Sequence, residues 1–144
     1  MILPDVNVLI HAFRRDASEH ALCRAWLVDV LSNDASFGVS LLTLSAVVRI
    51  TTNTRPYATP STIVEAFGFC EYLIEQPHCR LVTPGDRHWD IFKRLCIETD
   101  TRGPRVTDAW FAALAIEWGC EWITLDRDFA RFPGLKWQAP TASS

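Results

Sequence analysis

Short apolar runs alternate along the chain with longer runs that carry a helical repeat. Ile2-Leu3-Pro4-Asp5 reads as a strand, with Pro4 tolerated at its end. VNVLIHAF (6–13) predicts a helix. Residues 16–34 predict a second, capped by Asp16 or Ser18, with Leu22, Trp26 and Val30 recurring one turn apart. SFGVS (36–40) predicts a strand and LLTLSAVVRITTN (41–53) an apolar helix, followed by the loop 54–60. A helix over 60–76 would start with Thr59 as cap and Pro60 in its first turn, with Ile63, Phe67, Cys70 and Ile74 on one face. RLVT (80–83) predicts a strand. Asp86 would cap a helix over 86–98 that turns Ile91, Phe92, Leu95 and Cys96 inward. After a loop over 99–106, Thr107 would cap a helix that Gly119 stops. EWITLD (121–126) predicts a strand, 128–132 a short helical turn and LKW (135–137) a last strand. Strands alternating with helices predict an α/β protein with a mostly parallel sheet flanked by helices.

The length, 144 residues, fits one domain over 1–140 with a frayed tail at 141–144. With 49% apolar residues the core needs no metal or disulfide staple. Five cysteines are an odd number with no CxxC, and most fall in apolar stretches, where a free thiol acts as a small hydrophobe; this fits a reducing cytoplasm. The start lacks the basic region of a signal peptide, and no apolar run approaches the length of a membrane span. A net charge of −3 gives no bulk attraction for nucleic acid, although a local basic patch or a bound cation would serve. Six tryptophans are many for this size; Trp26, Trp89 and Trp110 fall on helices, where core or interface packing is the simpler role.

Acids change the picture. In an open parallel sheet, ligands bind beyond the carboxyl ends of the strands. Asp5 and Asp126 stand at two such ends, and Asp108 opens the helix before the strand that leads to Asp126. Each alone has a local explanation. Asp5 can cap the following helix, Asp108 can complement a helix dipole, and Asp126 or Asp128 can cap the turn 128–132. Together they repel, and a hard divalent cation would satisfy them; oxygen ligands select Mg²⁺ or Mn²⁺ over zinc. Asn7 could fix a carboxylate or a water at the site, or cap the helix. Ala112, Ala115 and Gly119 lie near the Asp108 face of its helix and allow close packing on the sheet, whereas Glu117 should point outward.

PDVNVLIHAF, VSLLTLSAVVRITTN, VTDAWFAALAIEWG and ITLDRDFARFPGLKW, in this order and spacing, resemble the PIN-domain ribonucleases, and among them the VapC toxins of type II toxin–antitoxin pairs. The resemblance runs from residue 2 to about residue 140. It implies a three-layer α/β/α sandwich and Mg²⁺-dependent cleavage of structured RNA of the tRNA or rRNA class, inhibiting translation. It also implies a homodimer and a VapB-like antitoxin. By position, Asp5, Asp108 and Asp126 match the family's first, third and fourth acids and would be catalytic and metal-binding. Asn7 and Thr124 match auxiliary polar positions.

One position departs from the family pattern: Ala46 stands where many PIN domains have a second acid, a glutamate. Three carboxylates can still hold one metal with waters. A second metal loses a ligand, for which Asp128 is the nearest spare carboxylate, ahead of Glu98 and Asp100. The same substitution leaves room for an alternative: a catalytically weakened PIN fold that binds RNA or antitoxin without cutting. Other enzyme classes fit less well. A haloacid-dehalogenase-type phosphatase needs an aspartate where Asn7 stands, a receiver domain needs paired acids at the first strand, and no GxGxxG or P-loop occurs.

Overall fold

The computed structural model describes residues 1–141. Most of the expected tail, 142–144, lies outside the described residues. Five short strands form one parallel sheet: β1 (Ile2–Pro4), β2 (Phe37–Val39), β3 (Cys79–Leu81), β4 (Glu121–Ile123) and β5 (Trp137–Gln138), in the order β3-β2-β1-β4-β5. β1 is central, and the strand order reverses between β1 and β4. In register, Ile2, Leu3 and Pro4 pair with Glu121, Trp122 and Ile123. The chain then turns into α1 (Val6–Phe13), α2 (His20–Ser32), α3 (Leu41–Thr51), α4 (Ile63–Ile74), α5 (His88–Thr99) and α6 (Val106–Trp118).

Two apolar cores sandwich the sheet. One joins α1–α4 to Phe37, Val39 and Ile123; the other joins α5 and α6 to Leu3, Val82 and Trp122. Strand residues alternate between them, as the pleat requires. Gly38 falls on the crowded α5–α6 side, where a Cβ would come within 2.6 Å of Val82 Cγ2. α6 is buried on nearly all sides, from Ala109 through Phe111–Ala115, so its alanines let it lie close against the sheet as expected.

Helix starts differ from the sequence reading. α2 begins at His20 with Glu19 at the N-cap and no side-chain cap bond, because Asp16 instead pairs with Arg14. Its buried row is Cys23, Trp26 and Leu27. α4 begins after Thr62, not Thr59: Thr62 and Glu65 form a reciprocal capping box. That start turns Ala66, Cys70 and Leu73 inward. Ile63, Phe67, Cys70 and Ile74 share a face as expected, and with Leu41, Leu44 and Val48 of α3 they line an apolar groove between the two helices, Ile63 and Phe67 being exposed.

α5 starts after Arg87, with no cap from Asp86; the Glu117 carboxylate accepts the Gly85 and Arg87 N–H groups at 2.7 and 2.9 Å. Glu117 thus points into the 85–87 turn and not outward. α6 starts one residue before Thr107, continuing a 3₁₀ turn over Gly103–Arg105, so Thr107 does not cap it. Gly119 does end it, in the left-handed conformation at φ 66°. No helix among the described residues is long and apolar enough to cross a membrane.

Candidate active site

Asp5 follows β1 directly, and its N–H still bonds to Ile123 O of β4 at 2.8 Å. The sheet therefore carries its side chain to the crevice where strand order reverses. Both local and site roles hold at once. Asp5 Oδ1 accepts the Val6 N–H at 2.7 Å at the start of α1, while Oδ2 accepts the Thr124 hydroxyl at 2.7 Å. Asn7 does not cap. Its Nδ2 reaches Asp5 Oδ2 at 3.3 Å and Thr124 Oγ1 at 3.4 Å, and its Oδ1 accepts the Leu125 N–H at 3.2 Å. Thr124 Oγ1 in turn accepts the Asp126 N–H at 3.0 Å. One buried hydroxyl and one amide thereby tie residues 5 and 126 together, so the auxiliary positions Asn7 and Thr124 are positioning groups for both acids.

Burial dominates the electrostatics. It pushes the Asp5 carboxyl up to about 6, against the pull of the Thr124 and Val6 hydrogen bonds; the charges of Asp108 and Asp126 add to the rise. Asp108, in the first turn of α6, is also raised by burial, with Arg131 and Arg105 opposing and Asp126 adding. The three acids therefore lie within each other's field, at the crevice. They do not converge on one point: among the described residues no three carboxylate, imidazole or thiol groups stand within ligating reach of a common centre. Each is held elsewhere. Asp126 Oδ1 accepts the Asp128 N–H at 2.9 Å and caps the 3₁₀ turn Arg127–Arg131, and Asp108 faces Arg131. The donor set is nonetheless all oxygen and mutually repulsive, the chemistry that suits a hard divalent cation.

Ala46 contributes a half-buried methyl, and α3 contains no carboxylate at all. Asp128 does not replace the missing acid in this arrangement, because its Oδ2 accepts from Arg105 at 3.1 Å. Asp100 pairs with Arg102, and Glu98 lies on the outer face of α5.

Two arginines escaped the sequence reading. Arg105 and Arg131 lie on separate elements and meet the acids only in the fold, each crossing between the start of α6 and the turn 127–131. The available signal was the spacing: Arg105 precedes Asp108 by one helical turn, and Arg131 closes the turn that Asp126 opens.

The fold and this crevice define a class, and comparison with known proteins agrees. The PIN domain family model matches residues 2–135, and the chain belongs to that family. Within it the chain stands among the VapC ribonucleases. It is 40% identical over 136 residues to ribonuclease VapC25 of Mycobacterium tuberculosis, covering 94% of this chain and 96% of that one. It is 36% identical over 140 residues to ribonuclease VapC43 of the same organism, covering 97% and 95%. Among solved structures, VapBC2 of Rickettsia felis, bound to a promoter DNA fragment, superposes with a TM-score of 0.70 at 13% identity, covering 96% of this chain and 98% of that one. VapC20 of M. tuberculosis, described as a sarcin–ricin loop cleaving toxin, gives 0.65 at 16% identity, covering 90% and 93%. The sandwich expected from the resemblance is therefore the fold observed. The relatives are named as ribonucleases, which gives the binding-only alternative no support.

Proposed function

We propose that this chain is the toxin of a type II toxin–antitoxin pair, an Mg²⁺-dependent endoribonuclease that cuts structured RNA of the tRNA or rRNA class and so inhibits translation. The observation that carries the reading is the trio Asp5, Asp108 and Asp126: three acids from distant parts of the chain share one crevice, and burial and mutual repulsion raise the central one. Mg²⁺, with Mn²⁺ as a substitute, is the cation such oxygens would hold. Bound there, it would offset charge at the scissile phosphate and make an acidified water available for in-line attack. Asp5 and Asp108 would bind it directly, with Asp126 beside them.

The protein's own residues do the rest. Thr124 and Asn7 hold Asp5 in one rotamer. Burial of the crevice floor strengthens every charge interaction within it. Net acidity leaves RNA affinity to local cations, so binding should weaken with salt. A VapB-like antitoxin and a second copy of the chain are the partners this reading includes; the solved VapBC complexes share the fold.

The test is cleavage of labelled tRNA and rRNA by antitoxin-free protein with Mg²⁺, with EDTA, and with Asp5→Asn or Asp108→Asn. The variants should lose at least about a hundredfold in rate, the scale of removing one charged group from a catalytic centre. Undiminished cleavage in EDTA and in both variants would overturn the metal role. Absence of cleavage by the wild type, with RNA still bound, would favour the binding-only form.

A further inference from the structure

Arg131 is held in place but left incompletely bonded. Its Nη1 donates to Asp128 O at 2.9 Å, and its guanidinium lies over the Phe132 ring at 4.3 Å. Its Nη2 is out of water with no hydrogen-bond acceptor among the described residues. Asp108 Oδ2 lies 3.7 Å from Nη2, close enough for ionic attraction and too far for a hydrogen bond. A buried N–H without an acceptor is rare in folded proteins and calls for a reason.

We propose that Arg131 is a positioning residue that serves two anions in turn: the Asp108 carboxylate while the acids hold no cation, and an RNA backbone phosphate once they do. This rests on the function proposed above. The geometry supplies each part. The guanidinium head is clamped from two sides, so it stays at the crevice whatever Asp108 does. Its side chain is 26% exposed although Nη2 itself is buried beside Asp108, so a ligand reaches the side chain directly and Nη2 once Asp108 turns to a cation. The planar fork offers donors matched to phosphate oxygens. A divalent cation and a guanidinium compete for one carboxylate, so a cation taking Asp108 frees the arginine's charge for the incoming anion. Arg105 differs in that its ion pair is with Asp128, so a cation taking Asp108 does not release it.

Opposed shifts in two binding measurements test this. Mn²⁺ binding to wild type, Arg131→Gln and Arg131→Lys would be followed by calorimetry without RNA. Binding of fluorescein-labelled tRNA would be followed by anisotropy with Ca²⁺ replacing Mg²⁺, and intact RNA confirmed on a gel. Arg131→Gln should take up Mn²⁺ about three- to tenfold tighter, because a competing charge is gone. The same variant should bind tRNA about fivefold or more weakly, with a shallower salt dependence. Arg131→Lys should keep wild-type Mn²⁺ affinity and regain only part of the tRNA affinity, because a point charge lacks the fork. If Arg131 merely fastens the turn, Arg131→Gln weakens both ligands, and the inference is overturned. Unchanged Mn²⁺ affinity in Arg131→Gln, beside clear uptake by the wild type, also overturns it and leaves the proposed function standing. A wild type that takes up no Mn²⁺ removes the proposed function, and this inference with it.

Discussion

Two arginines sit against aromatic rings beside an aspartate, and the protein treats them differently. Arg14, at the end of α1, is 9% exposed and fully engaged. Nε and Nη2 grip Asp16, Nη1 reaches Ser61 Oγ at 3.1 Å, Nη2 also reaches Thr59 O at 3.0 Å, and the guanidinium lies 3.9 Å from the Tyr57 ring centre. Arg131 has one backbone acceptor, a ring, and an aspartate just out of reach. The first closes a loop onto the body of the fold and is finished. The second leaves a donor free at the crevice. Thr43 Oγ1 and Trp122 Nε1 also lack a partner among the described residues, but they lie in the packed core; Arg131 differs in carrying a charge at the edge of the crevice.

The comparison can be broken by substitution. Arg14→Ala should cost the most stability, a loss of about 2 kcal/mol in urea unfolding, because two part-buried hydrogen bonds and the ring contact to the 57–61 segment go together with the Asp16 pair. Asp16, largely in water, rehydrates and offsets little. A loss under about 1 kcal/mol would put Arg14 on the same footing as Arg131.

Asp5→Asn should act in the opposite direction. The carboxyl rises from 3.8 to about 6 in the fold. Below pH 3.8 it is neutral in folded and unfolded chains alike. Between 3.8 and 6 the unfolded chain gives up a proton that the folded chain keeps, so stability falls as pH rises. Above 6 the full penalty stands, about 3 kcal/mol. A neutral amide escapes it, so Asp5→Asn should be about 2 kcal/mol more stable than wild type at pH 7.5 without metal, even as cleavage is lost. A destabilised Asp5→Asn would mean that the Thr124 and Val6 bonds outweigh burial.

The same linkage sharpens the metal question. Mn²⁺ should raise the melting temperature more at pH 7.5 than at pH 5, where Asp5 keeps its proton and a cation must displace it. Equal shifts at the two pH values would detach Asp5 from the cation. Smallest of all should be the effect of Arg131→Gln on unfolding, within about 1 kcal/mol, since the bond it loses to Asp128 O lies near the surface. A larger loss would make Arg131 architectural after all.

Much of this was legible in the residues. The strand–helix alternation gave the layers, and α1 spans the residues predicted for it, because its flanking Asp5 and Arg14 leave little choice. The acids were legible because strand ends in a parallel sheet are where ligands sit. Cap positions were less so. Thr59 and Thr62 both suit a helix start, and only Glu65, completing the box with Thr62, decides between them. Ile63, Phe67, Cys70 and Ile74 share a face as read, but local pattern does not say that this face borders an open groove with Ile63 and Phe67 exposed. The Arg105–Asp128 and Arg131–Asp108 pairs join separate elements, and no local pattern announces them.

The central place of β1 has a consequence for synthesis. The second residue of the chain finds one neighbour at residue 37 and the other only at residue 121. A nascent chain halted before β4 therefore lacks Thr124 and Asp126 and leaves Asp5 without the hydroxyl that orients it. The trio of acids cannot assemble on the ribosome until nearly all of the polypeptide has been made, so on the proposed function an incomplete product would lack the centre by topology alone.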